Sequence, residues 1–449
     1  MQSDKVSTNN TLNGVFDKME DAIDASIEAQ KVVRQLPLEF REKIIDNIRK
    51  KTIQHAEKFA ELGVKETGMG RIGDKVLKHK LVAEKTPGTE DIKTVAWSGD
   101  RGLTLVEQGP FGVIGAITPS TNPSETVICN TIGMIAGGNT VVFNPHPGAI
   151  GVSNYAVNLV NEASVEVGGP NNIAVSVAKP TLETADIMFK HKNIQLLVAT
   201  GGPGVVTAVL SSGRRAIGAG AGNPPVVVDE TADIRKAAYD IYNGATFDNN
   251  LPCIAEKEVI VVAEVADELI YYMQEAGSYM ITGDEIDRLA KTVLVNKNGK
   301  LVINRDYVGK DASYILSAIG INVDDNTRCI IFEADGDHPL VVEELMMPIL
   351  GIVRVEDVDK AIDLAVSLEH GNRHSAHMHS KNVDNLTKYG QRIDTAIFVK
   401  NAPSYAALGF GGEGYCTFTI ASRTGEGLTS ASSFTKNRRC VMAESLCIR

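Results

Sequence analysis

Four short apolar runs rich in β-branched residues, at 113–117, 140–143, 173–177 and 195–199, alternate with segments long enough for one helix each, such as Pro123–Ala136 and 150–167. Both alternating sets of side chains in these runs are apolar, so each run must be covered on two faces. Strand–helix–strand alternation of this kind predicts a doubly wound α/β fold, a parallel sheet wrapped by helices. A second α/β series follows the Gly/Ala/Pro-rich punctuation at 218–225. It comprises a helix over 232–247, a strand at Glu258–Val262, helices at 267–276 and 284–294, and strands at 328–332 and 395–399. The domain boundary is therefore expected near 222–226, giving a first domain over 1–225 and a second over 226–411, with 412–449 returning to the first. At 449 residues the chain is about three times a ~150-residue domain, which agrees with more than one packed unit.

The amino-terminal third reads as helical. Val15, Phe16, Met19, Ile23 and Ile27 recur every three or four residues from Thr11 towards His55. Pro37 breaks the run, and a second helix is expected over 38–62, stopping at Gly63; residues 65–101 read as mixed helix and loop. Residues 103–107, bounded by Gly102 and Gly109-Pro110, look like one arm of a hairpin within 98–112. The tail after Ser430 is polar and Ser/Thr/Arg-rich. Hairpin and tail together fit an oligomer contact; a surface hairpin with a loose terminus fits equally well.

Charge and composition exclude several classes. A net charge of -11 disfavours nucleic acid and anionic membranes, which it repels at long range. Asp4, Lys5, Asp17, Lys18 and Glu20 interrupt residues 1–20, so no secretory signal is expected there. The longest apolar stretch, 196–210, is broken by Gly201, Gly202, Pro203 and Gly204 and is too short to span a bilayer. Six cysteines without paired spacing fit free thiols in a reducing, cytoplasmic compartment.

Among those cysteines, Cys129, Cys329 and Cys416 lie in apolar runs and read as core, and Cys440 and Cys447 lie in the tail. Cys253 differs, because it follows the polar turn Asp248-Asn249-Asn250-Leu251-Pro252 between a helix and a strand. A loop cysteine there can meet a substrate, and backbone N–H groups of the turn can hold its thiolate or a neighbouring oxyanion. Gly201-Gly202-Pro203-Gly204, between a strand and a helix, reads either as a phosphate-cradling turn or as an ordinary tight βα turn. The full dinucleotide fingerprint of glycines is absent. The loop Thr118-Pro119-Ser120-Thr121-Asn122-Pro123 follows a strand at the end where α/β proteins place ligands, although Asn before Pro commonly caps a helix. His370, His374, His377 and His379 raise metal binding, but their spacing is poor and no acidic third ligand accompanies them. No metal site is expected; polar lining or solvated surface is the alternative. Glu343-Glu344 precedes Leu345-Met346-Met347-Pro348 and reads alone as a helix N-terminal charge.

Taken together, residues 117–123, 141–147, 249–255, 343–348 and 417–439 resemble the aldehyde dehydrogenase superfamily, specifically its CoA-acylating branch. The similarity is to the propionaldehyde and acetaldehyde dehydrogenases of propanediol- and ethanolamine-using bacteria. The resemblance implies a Rossmann-type cofactor domain, an α/β catalytic domain, small oligomerisation arms and a homodimer or homotetramer. It implies oxidation of a short aliphatic aldehyde with NAD and coenzyme A, through an acyl-cysteine thioester. Cys253 matches the nucleophile, and its own N–H would form half of the oxyanion hole. An ungapped match puts Thr121 at the position of the other donor, with Asn122 one residue later; Asn122 is the favoured group. Thr118, Pro119, Ser120, Pro147 and Leu345 fall within the matched cofactor-binding segments. Gly201, Gly202 and Gly204 match the turn under the pyrophosphate, and Glu344 matches the carboxylate on the nicotinamide ribose. Asn144 replaces the lysine that usually holds the adenosine ribose, which leans towards NAD over NADP.

Hydrolytic members carry a Glu at the start of the glycine motif before the second domain, where it activates water. The corresponding stretch here, 218–225, has no acid. Water needs a general base worth typically ~10²–10⁴-fold, whereas a thiol ionises far more readily, so this departure favours transfer to CoA. The alternatives are a hydrolytic dehydrogenase and a non-catalytic nucleotide- or metal-binding scaffold. The targeting helix of microcompartment relatives is expected to be absent or shortened, leaving encapsulation beside shell or cargo proteins open.

Overall fold

The computed structural model describes residues 12–448. The readings made on residues 1–11, part of the no-signal argument and of the targeting-helix argument, lie outside them. Two parallel sheets organise the chain. The first has six strands in the spatial order Val15–Phe16, Ala174–Val177, Thr140–Pro145, Val113–Thr118, Ile194–Thr200, Ala216–Ala219. The second has seven: Ser278–Met280, Cys329–Glu333, Ile349–Val355, Glu258–Val262, Pro225–Val228, Ser375–His379 and Ile397–Lys400. The chain crosses from one sheet to the other between Ala219 and Pro225.

The runs that are apolar on both faces are buried on both. Every residue of Val113–Thr118 and Thr140–Pro145 is buried, and helix Pro123–Ala136 is buried throughout its length. Its apolar residues, with Ile45, Ile48, Phe59 and Phe143, form one continuous core. At ~25 cal/mol per Å², burial on this scale is the main force holding the sheet to its helices.

Three local expectations need correction. Val15 and Phe16 form no helix; they make a short edge strand parallel to Ser176 and Val177, and the helix begins at Met19. Gly14 makes this possible: its φ is 81°, and a Cβ there would sit 2.2 Å from Asn161 Nδ2. The second helix ends at Gln54, breaks at His55, and restarts as Ala56–Thr67 straight through Gly63. A Cβ on Gly63 would meet Lys75 Cδ and Val152 Cγ2 only at ordinary van der Waals distance, so the helix runs through it, and the stop falls at left-handed Gly68. The tail is no loose terminus. Thr435–Ala443 pairs antiparallel with Gly102–Pro110, which pairs with Val95–Gly99, making a three-stranded sheet.

Candidate active site

The carboxyl ends of the first sheet's strands open into a cleft of about 2080 Å³ that the second sheet's loops close from the other side. Thr118, Pro119, Ser120, Thr121 and Asn122 line it from the loop after Val113–Thr118. Asn144 and Pro147 line it from the next strand end, Gly201, Gly202 and Gly204 from a third. Cys253 and Glu344 reach it from the opposite side. Leu345 does not line the cleft; it is 3% exposed and packs in the core beside the second sheet, because Glu344 already takes the outward direction.

Cys253 is held by an unusual turn. Asp248, Asn249 and Asn250 all take left-handed conformations, with φ of 48°, 55° and 66°. Asn and Asp tolerate this region better than other non-glycine residues, and here each side chain also fixes the turn. Asp248 Oδ1 accepts from Arg71 N at 2.9 Å. Asn249 Nδ2 donates to Gly309 O at 3.0 Å, and Asn250 Nδ2 donates to Ala245 O and Glu256 O at 2.9 and 2.8 Å. Below the turn, buried Lys257 donates to Asn250 Oδ1 at 2.6 Å and to Asn250 O at 3.0 Å.

Cys253 keeps part of its surface open to the cleft, yet its sulfur lies deep. Burial first, and the Glu344 charge second, push its thiol up to about 12, against the pull of Lys257, its own N–H and Lys78. Burial also raises the Glu344 carboxyl, opposed by Lys257 and by the Gly222 N–H, which reaches Oε1 at 3.4 Å. Cys129, Cys329 and Cys416 are buried and Cys440 and Cys447 exposed outside the cleft, so Cys253 is the cysteine that the cleft presents.

The cofactor side fits a dinucleotide. Helix Pro203–Leu210 starts at Gly202 with no side-chain cap, leaving N-terminal N–H groups facing the cleft. A Cβ on Gly202 or Gly204 would meet nothing within 4 Å, which is the room a phosphate needs to approach the backbone. Asn144 Oδ1 accepts from Thr184 Oγ1 at 2.6 Å, so its amide nitrogen is the group turned outward.

The histidines disperse. His370 is exposed and bonds Val342 O; buried His374 and His377 bond Ser375 Oγ and Ile254 O. Burial lowers the pKa of His374 and His377 to about 4, keeping both neutral near pH 7. Among the described residues, no group of three or more His, Cys, Asp or Glu side chains is placed to hold a metal, and no helix is long and apolar enough to cross a membrane. Missed from sequence was a buried ionic cluster beside the cleft, formed by Lys75, Lys78, Glu125 and Asp248.

A parallel sheet whose strand ends cradle a dinucleotide, faced by a turn presenting one cysteine, defines the aldehyde dehydrogenase architecture. The chain matches the aldehyde dehydrogenase family over residues 10–434 and belongs to it. It is 49% identical, over 96% of its length and 93% of the relative's, to the acetylating acetaldehyde dehydrogenase EutE of Salmonella typhimurium. It superposes with a TM-score of 0.96 on a propionaldehyde dehydrogenase from the fucose-utilisation microcompartment of Clostridium phytofermentans, at 69% identity, covering 97% of this chain and 100% of that one. A propionaldehyde dehydrogenase of Rhodopseudomonas palustris, solved with bound CoA and an acylated cysteine, is 54% identical with a TM-score of 0.95, covering 97% and 99%.

Proposed function

We propose that this chain oxidises a short aliphatic aldehyde, acetaldehyde or propionaldehyde, to the acyl-CoA with NAD, reversibly. The observation that carries the reading is that Cys253 shares one cleft with the uncapped glycine turn while residues 218–225 hold no acid to activate water. The names of its relatives agree.

The Cys253 thiolate adds to the aldehyde carbon, forming a C–S bond as the carbonyl π pair moves to oxygen. Asn122 Nδ2 and the Cys253 N–H hold that oxyanion, and Thr121 orients the amide through its Oγ1, 3.2 Å from Asn122 Nδ2. NAD, when bound, supplies the acceptor for the hydride leaving the same carbon, which restores the C=O bond as a thioester. Gly201, Gly202 and Gly204 would hold the pyrophosphate, Asn144 the adenosine ribose and Glu344 the nicotinamide ribose; Thr118, Pro119, Ser120 and Pro147 complete the walls. The CoA thiol releases its proton to solvent and attacks the thioester carbon, and as the C–S bond to Cys253 breaks Cys253 departs as thiolate.

The proposed division runs 1–225 for cofactor, 226–411 for catalysis and 412–449 for return and assembly. The three-stranded sheet, with Trp97 and Val441 exposed, supports a homodimer or homotetramer. The reading is cytoplasmic residence, with encapsulation in a microcompartment left open; the microcompartment origin of the Clostridium relative supports it.

Glu344 favours a second reading, because its charge is felt at Cys253 and a carboxylate there is able to assist water, giving the free acid. One assay separates the two: NADH release from acetaldehyde, propionaldehyde and butyraldehyde, with and without CoA. Steady turnover only with CoA, and none in Cys253→Ala, is expected. A rate indifferent to CoA rejects the acylating reading.

A further inference from the structure

Four charged side chains are sealed from solvent beside the cleft. Helix Ile72–Lys85 contributes Lys75 and Lys78, helix Pro123–Ala136 contributes Glu125, and the left-handed turn before Cys253 contributes Asp248; none is more than 3% exposed. Lys78 Nζ lies 2.6 Å from Asp248 Oδ2 and 3.0 Å from Glu125 Oε1, while Lys75 Nζ lies 3.0 Å from Asp248 Oδ2. Two cations and two anions leave the set neutral. Burying such ions costs several kcal/mol each, and well-packed apolar residues commonly do as well for stability. What a buried ionic cluster does supply is a fixed position for its members.

Lys78 donates a hydrogen bond to the Asn122 side-chain oxygen at 2.6 Å, while Asp248 and Glu125 stand beside it as ion-pair partners. An ammonium only donates, so Oδ1 of Asn122 must face Lys78 and the amide nitrogen must face away. One proton of that nitrogen goes to Thr121 Oγ1. The other is left for the cleft, which Asn122 lines. Asn122 occupies the N-cap position of helix Pro123–Ala136, yet its side chain makes no cap bond. The helix thus does not use the amide, and Lys78 sets its direction.

We propose that Lys78 is a positioning residue: by holding Asn122 Oδ1 it turns the amide nitrogen towards the oxyanion formed at Cys253, and by holding Asp248 it fixes the turn carrying that cysteine. The proposal rests on the reading of Asn122 as an oxyanion donor. It explains why a helix outside both sheets' strand-end loops carries a buried lysine to this point. The Lys78 charge also favours the thiolate of Cys253, in the same direction as the proposed role.

The test uses the full chain and single-turnover NADH formation from propionaldehyde without CoA. Asn122→Ala is expected to slow this step roughly 10²-fold, the usual loss for one oxyanion donor. Lys78→Met should slow it roughly 10–100-fold, with the KM for NAD changed less than about twofold. Added to Asn122→Ala, Lys78→Met should cost clearly less than it does alone, since the part of its effect that runs through Asn122 is already lost and only the part through Asp248 remains. Lys78→Met leaves Asp248 and Glu125 facing Lys75 alone; if it does not fold, Lys78→Met/Glu125→Gln keeps the cluster neutral and is read the same way. Full activity of Asn122→Ala overturns the donor reading and the proposal with it. A slow Asn122→Ala beside fully active Lys78 variants overturns the proposal alone, as do losses that multiply independently.

Discussion

Replacing Glu344 with Gln should make Cys253 react faster with an alkylating agent in the absence of NAD. The thiol stands at about 12, three units above its ordinary 9.0, with burial the larger cause and the Glu344 charge the next. At pH 8 only ~10⁻⁴ of it is then ionised. A nearby negative charge disfavours the thiolate, so removing it lowers the pKa, and each ~1.4 kcal/mol of repulsion relieved multiplies the ionised fraction about tenfold. A less basic thiolate is also less nucleophilic, with a sensitivity of ~0.4–0.5, so the net gain at fixed pH is roughly threefold to fourfold for each such tenfold. Lys257→Met should act oppositely, because Lys257 pulls the thiol down. The assay is iodoacetamide labelling from pH 7 to 10, read by mass spectrometry on the Cys253 peptide so that exposed Cys440 and Cys447 do not contribute. An unchanged or slower rate in Glu344→Gln refutes the electrostatic account of this cleft.

Two further outcomes are expected. Gly202 has φ -63° and ψ 166°, a conformation open to any residue, so Gly202→Val should fold normally but fill the phosphate cradle, raising the KM for NAD roughly tenfold while the melting temperature stays put. Trp97 and Val441 are 55% and 61% exposed on the three-stranded sheet, more than a monomer leaves open cheaply. Trp97→Glu with Val441→Glu should lower the mass measured by light scattering, and an unchanged mass places the interface elsewhere.

The strand-and-helix frame was legible because the relevant residues obey their period. Residues of 113–117 and 140–143 are apolar on both sides and are buried on both. Cys253 was legible by elimination, since the three cysteines in apolar runs are core. The ionic cluster was illegible for a physical reason. In Ile72–Lys85 a hydrophobic reading turns Leu77 inward and Lys75 and Lys78 outward; Leu77 is instead 39% exposed and both lysines are buried. Their partners lie on other elements, brought together only by the tertiary fold, so neither spacing nor composition marks them. The strand Thr435–Ala443 was hidden likewise, its residues nearly all exposed and its only signal a register with Gly102–Pro110.

In the proposed mechanism, Cys253 and its oxyanion donors are governed by the same burial. Enclosure raises the cost of the thiolate, which is why the sulfur rests as a thiol. The same enclosure lowers the local dielectric, so that a fixed amide such as that of Asn122, 7% exposed, holds a developing oxyanion more strongly than it would in water. In the tetrahedral adduct the negative charge has moved from sulfur to oxygen, from the atom the cleft disfavours to the atom it is built to receive. Burial thus destabilises the charge before addition and favours it after, provided the donors are already aimed. In the role proposed for it, the cluster around Lys78 meets that condition.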